Sequence, residues 1–106
     1  MPTTYDKLVR DLIPEIIEEN DERPVTHVAA DEEYADRLAE KLTEEAMEFE
    51  DSRDLEELAD VLEVIHAVLD DRDETMAALE ATRREKRAEC GGFEERIVLD
   101  RVESDG

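Results

Sequence analysis

The sequence predicts an all-α protein: an antiparallel helical bundle of about four helices with a short C-terminal extended strand or tail. Three observations lead there. Four stretches carry apolar residues at helical spacing, capping or breaking residues separate them, and one short apolar run, Arg96-Ile97-Val98-Leu99, follows the last. At 106 residues the chain has room for one domain, spanning 1–106, and not for two.

The first stretch, Asp11 to Asn20, places Leu12, Ile13, Ile16 and Ile17 at helical spacing and tolerates Pro14 in its first turn. Residues 21–30 contain Pro24 and read as a loop. A second helix is expected from about Asp31 to Asp51. A third begins after Ser52 or Asp54, both good N-caps, and runs to Leu69. Asp73 is the expected cap of a fourth, which reaches Cys90 and stops at Gly91-Gly92.

The second helix sets a carboxylate among hydrophobes. At about 100° per residue, Leu38, Leu42, Glu45 and Phe49 fall within roughly 30° of one line, with Lys41 and Glu48 on one flank. A carboxylate in such a stripe is costly unless it is paired or bound to a cation. The third helix has two apolar faces. Leu55, Leu58, Leu62, Ile65 and Leu69 form one; Val61, Val64, Ala67 and Val68 form the other. Glu56, Glu63, His66 and Asp70 make a narrow solvent strip, and Glu57 and Asp60 lie on the valine face. Two apolar faces on one helix suggest a partner subunit, so a homodimer or higher homo-oligomer is expected.

Two pairs of acids spaced i, i+3 therefore occupy apolar faces: Glu45 with Glu48, and Glu57 with Asp60. A tight connection near Ser52 makes their helices antiparallel neighbours and brings the pairs face to face. Four convergent carboxylates without His or Cys favour Mg²⁺, or Mn²⁺, over zinc. The bland reading is a solvated acidic face, because acids are frequent throughout this chain.

Charge narrows the partners. Asp and Glu total 34 against 13 Lys and Arg, a net charge of −21. Such a surface repels phosphates and argues against general nucleic-acid binding. It fits a salt-rich, halophilic cytoplasm, where screening relieves self-repulsion. No stretch approaches the roughly 20 apolar residues of a membrane span. Nor does Met1 to Arg10 carry an apolar run of signal-peptide length, and the single Cys90 permits no internal disulfide. A cytoplasmic protein without membrane partners is expected. His27 and His66 read as surface residues, and Cys90 as a helix-end residue without chemistry.

Basic residues crowd at Arg83, Arg84, Lys86 and Arg87. Arg83 and Arg87 are one turn apart in line with Met76 and Leu79, which suits either phosphate recognition or stabilisation of a helix C-terminus. Lys41, one turn before Glu45, is the strongest single candidate for a phosphate contact.

The run Glu44-Glu45-Ala46-Met47-Glu48, followed by Glu57-Leu58-Ala59-Asp60, resembles the EExxE…ExxD signature of MazG-like, all-α nucleoside triphosphate pyrophosphohydrolases. Lys7-Leu8-Val9-Arg10-Asp11 with Ile13-Pro14-Glu15-Ile16-Ile17 resembles the opening of a short, phosphoribosyl-ATP pyrophosphohydrolase-like subgroup. Lys86-Arg87, Gly91-Gly92-Phe93 and Arg96-Ile97 resemble its ending. The resemblance implies metal binding by Glu45, Glu48, Glu57 and Asp60, and water attack on a triphosphate that releases pyrophosphate and a nucleoside monophosphate. It also implies substrate contacts from Lys7 and Arg10. Glu44 or Glu48 would be the general base. The gap between the motif halves, Phe49 to Glu56, is short for the family and implies a tight hairpin and a compact site. Two alternatives stand beside housekeeping removal of unwanted nucleotides: phosphoribosyl-ATP hydrolysis in histidine biosynthesis, and a catalytically silent acidic interaction module.

Overall fold

The computed structural model describes residues 3–104 and contains four helices and, among the described residues, no strand. They are α1 (Ile13–Glu19), α2 (Asp31–Ser52), α3 (Leu55–Asp71) and α4 (Met76–Cys90). The chain divides into two compact units, one ending at Glu74 and the other beginning at Thr75.

In the first unit, α1 is shorter than its apolar pattern, because Pro14 lacks an N–H and must lie in the opening turn. Asn20 closes it, its side-chain amide donating to the Ile16 carbonyl at 3.2 Å. Three acids, Asp31, Glu32 and Glu33, fill the first turn of α2 and meet the positive end of the helix dipole. The helix ends at Arg53, which takes the left-handed conformation (φ 65) and donates its N–H to the Phe49 carbonyl at 2.8 Å. Only Arg53 and Asp54 separate α2 from α3, so the two helices pack as an antiparallel hairpin.

Neither expected cap of α3 acts through its side chain. Asp54 occupies the N-cap position with extended backbone but makes no side-chain capping bond. Ser52 is the last residue of α2, and its hydroxyl accepts from the Asp54 N–H at 3.2 Å. The core of the hairpin is thin: Leu38, Val64 and Leu69 are buried, together with Glu45. Its solvent strip is where the pattern puts it, with Glu56, Glu63, His66 and Asp70 exposed.

The start of α4 corrects the expected cap. Asp73 is left-handed (φ 55) and finishes α3, its N–H donating to the Asp70 carbonyl at 3.2 Å while the Glu74 N–H reaches Leu69 at 2.9 Å. A residue so used cannot adopt the extended geometry of an N-cap. Thr75 caps instead, its hydroxyl accepting from the Ala78 N–H at 3.1 Å. Gly91 ends α4 at φ 85, a conformation that suits glycine. The apolar run beyond it forms no strand; Ile97, Val98 and Leu99 are exposed, since a lone strand has no partner edge to complete its hydrogen bonds.

Candidate metal centre

Helical spacing and the short turn together converge the four acids. One carboxylate oxygen from each of Glu45, Glu48, Glu57 and Asp60 lies within 4.8 Å of all the others. Glu45 projects from the apolar stripe of α2 and is only 7% exposed. Glu57 and Asp60 come from the valine face of α3 and are half-buried, while Glu48 is exposed at the rim. Full charges at such separations repel even at an effective dielectric of about 20, less so where the open side screens them.

Burial and then the neighbouring Glu48 carboxyl hold the Glu45 pKa above its usual value. Glu57 is raised as well, by desolvation first and by the charge of Asp60 second. Lys41 offsets part of this, with its Nζ 3.3 Å from Glu45 Oε1. The other Glu45 oxygen, Oε2, is buried with no hydrogen-bond partner. A buried carboxylate oxygen left in that state is costly, and an additional ligand there would offset the cost.

The donor set fits a hard divalent cation. All four donors are oxygens, and opposite ligands of octahedral magnesium lie about 4.2 Å apart, twice the metal–oxygen distance. A spread of 4.8 Å therefore approximates one coordination sphere.

Cations surround the acids. Lys7 Nζ donates to Glu44 Oε1 at 2.8 Å, and Lys41 Nζ donates to Glu44 Oε2 at 3.3 Å. The Lys7 bond in particular holds the Glu44 carboxyl below its usual range. Arg10 donates to Asp60 Oδ1 at 2.7 Å. Thus Lys7, Arg10 and Lys41, named from the sequence as substrate contacts, all touch acids of the motif. Arg83, Lys86 and Arg87 lie on α4 in the second unit and are exposed. Arg83 pairs with Glu80 there, and Arg87 with Glu94.

Sequence reasoning missed the contact that seats the N-terminal segment. Arg37 donates to the Asp6 carboxylate at 2.8 Å and to the Asp6 carbonyl at 2.9 Å. No local pattern signals it, because the partners are 31 residues apart. The histidines behave as surface groups: His66 is exposed, and His27 lies 2.9 Å from Glu33. Cys90 is exposed and unbridged.

A shallow depression of about 620 Å³ on α2 is bordered by Thr43, Glu44, Met47 and Glu48, so it opens beside two of the motif acids. No helix among the described residues is long and apolar enough to cross a membrane. The chain matches no protein-family model, no curated protein and no solved structure.

Proposed function

We propose that this chain is a magnesium-dependent nucleotide pyrophosphohydrolase, which with water converts a nucleoside triphosphate to a monophosphate and pyrophosphate. The observation that carries the reading is the buried, unpartnered Glu45 Oε2 among three further convergent carboxylates. The likeness of the motif residues to MazG-like enzymes supports the same conclusion. In this reading Glu45, Glu48, Glu57 and Asp60 hold Mg²⁺, with Mn²⁺ as a substitute. Such an ion would neutralise phosphate charge and acidify the attacking water. Lys41, Lys7 and Arg10 receive the remaining phosphate charge. The water's proton passes to Glu44 or Glu48. The lysines that keep Glu44 ionised also weaken it as a base, which favours Glu48.

The enzyme works as a homodimer or larger homo-oligomer in this reading. Support comes from Leu55, Leu58 and Leu62, an apolar row on α3 exposed at 80%, 45% and 47%. A cytoplasmic, salt-rich setting accords with the −21 charge. Incubation with Mg²⁺ and a nucleotide panel that includes phosphoribosyl-ATP, followed by a pyrophosphate assay, tests the activity and identifies the substrate. Pyrophosphate release that needs Mg²⁺ and the four acids is the expected result. A protein that binds Mg²⁺ but hydrolyses none of the panel would be the silent module.

A further inference from the structure

The segment from Thr3 to Arg10 has no helix or strand of its own and contributes no fully buried residue. Three ion pairs hold it to the hairpin. Asp6 is bound to Arg37 at 2.8 Å, Lys7 to Glu44 at 2.8 Å, and Arg10 to Asp60 at 2.7 Å. Asp6 is left-handed (φ 45), a region that non-glycine residues adopt uncommonly. The other two pairs differ from the Asp6 pair in kind. They end on acids of the carboxylate cluster and its flank, one on α2 and one on α3, and so bridge the hairpin at the site itself.

Exposed ion pairs contribute little and exchange readily. Lys7 is 39% and Arg10 56% exposed, so both lie in that weak regime. A divalent cation among four carboxylates is a far stronger partner for Asp60 than one guanidinium. Its double charge also weakens the hold of Glu44 on the adjacent Lys7 ammonium. A phosphate brought in on that cation is in turn a better partner for both basic groups.

We propose that residues 7–10 form a latch that exchanges partners: Lys7 and Arg10 rest on Glu44 and Asp60, leave them when a divalent cation enters, and close again on the phosphates that follow. Asp6–Arg37 is the pivot, since neither residue touches the cluster acids. The latch rests on the metal-dependent phosphate reading above. It adds that the two basic groups are delivered to the phosphate by loss of their resting partners, and that Mg²⁺ alone leaves the segment released.

Lysine NMR tests this directly, because the sequence contains only Lys7, Lys41 and Lys86. Selective ¹³Cε labelling of the full chain gives three signals, and Arg10→Lys adds a fourth that reports the Asp60 contact. The protein is titrated with MgCl₂, with KCl at matched ionic strength, and with MgCl₂ plus inorganic pyrophosphate, while melting temperature is followed in parallel. The expected result is that MgCl₂ moves the Lys7 signal at least half-way to its position in Glu44→Gln. The fourth signal gains mobility with it, and pyrophosphate restricts both again. Lys86, on α4, is the internal reference for the MgCl₂ and KCl arms. Lys7 and the fourth signal staying in place while Mg²⁺ raises the melting temperature would overturn the latch and leave the metal site standing. Equal release by KCl, or no renewed restriction with pyrophosphate, overturns it too. Absence of any Mg²⁺ effect on melting overturns the latch and the metal site together.

Discussion

The two faces of α3 were given comparable hydrophobes and meet opposite surroundings. On one, Val64 is buried, and Val61 and Val68 are half-buried, beside Glu57 and Asp60. On the other, Leu69 is buried at one end, but Leu55, Leu58 and Leu62 stand in the open. Hydrophobic burial alone would reverse the choice, since fully covering a leucine is worth about 1.5–3 kcal/mol and an unpaired carboxylate costs several. A hairpin that closes on acids and leaves leucines outside accords with the proposed cation site and the proposed subunit contact.

The sharpest way to break this comparison is at Glu45. Glu45→Gln preserves shape but removes a charge from the closed face. It is expected to lower pyrophosphate release by at least about 100-fold, more than loss of a residue that merely supports a metal ligand. It should also abolish the Mg²⁺-induced rise in melting temperature, which mass action gives only when the ion binds the native state. An unchanged rise removes Glu45 from the site.

The open face is tested by charge. Light scattering in high salt should report two or more chains for the wild type. Leu62→Glu should weaken association by about 10-fold to 100-fold, corresponding to one leucine's burial. A fully active wild-type monomer would end the view of this face as an interface.

A third prediction separates general charge from the cluster. With −21 on 106 residues, KCl raised to the molar range should increase the unfolding midpoint steeply through screening. Millimolar Mg²⁺ should act at far lower concentration. Glu45→Gln should keep the first response and lose the second, as circular dichroism melts across both salt series would show. A wild type equally stable in dilute buffer contradicts the halophilic reading.

The smallest effect is the response to pH. Glu45 and Glu57 have folded pKa values raised above 4.5, so the folded state binds protons more tightly than the unfolded chain. Their ionisation penalty is fully present above those raised values. Without divalent cation, the melting temperature should therefore rise as pH falls from 7 toward 4.5. Below 4.5 the trend should reverse, because Glu44 has a lowered pKa and its pairing with Lys7 is lost on protonation. Saturating Mg²⁺ should flatten the rise, and Glu45→Gln should reduce it. A rise of the same size in Glu45→Gln would assign it to general charge relief.

Much of this was legible in the residues themselves. The bounds of α2 and the four-acid convergence follow from a 3.6-residue period and one short turn, both local properties. The cap of α4 was misplaced because Asp73 and Thr75 are both capping residues, and only the end of α3 decides between them. Asp6–Arg37 was invisible for a different reason: two charges 31 residues apart carry no periodicity. The run Arg96–Leu99 has strand-like composition, but composition cannot supply a neighbouring edge.

Arg53 has a further consequence, for how the chain can change in length. The turn consists of Arg53 and Asp54 alone, and α3 starts immediately after it. A residue inserted there would lengthen the turn and leave the helical phase of Glu57 and Asp60 intact, whereas one inserted within α3 between Asp60 and Val64 would turn those acids by about 100° and shift them about 1.5 Å relative to the buried valine. Insertions of three or four residues, near one full turn, would bring the acids back into phase. The hairpin would therefore accept added length at the turn, while within α3 only steps of about one helical turn would keep the acids in register.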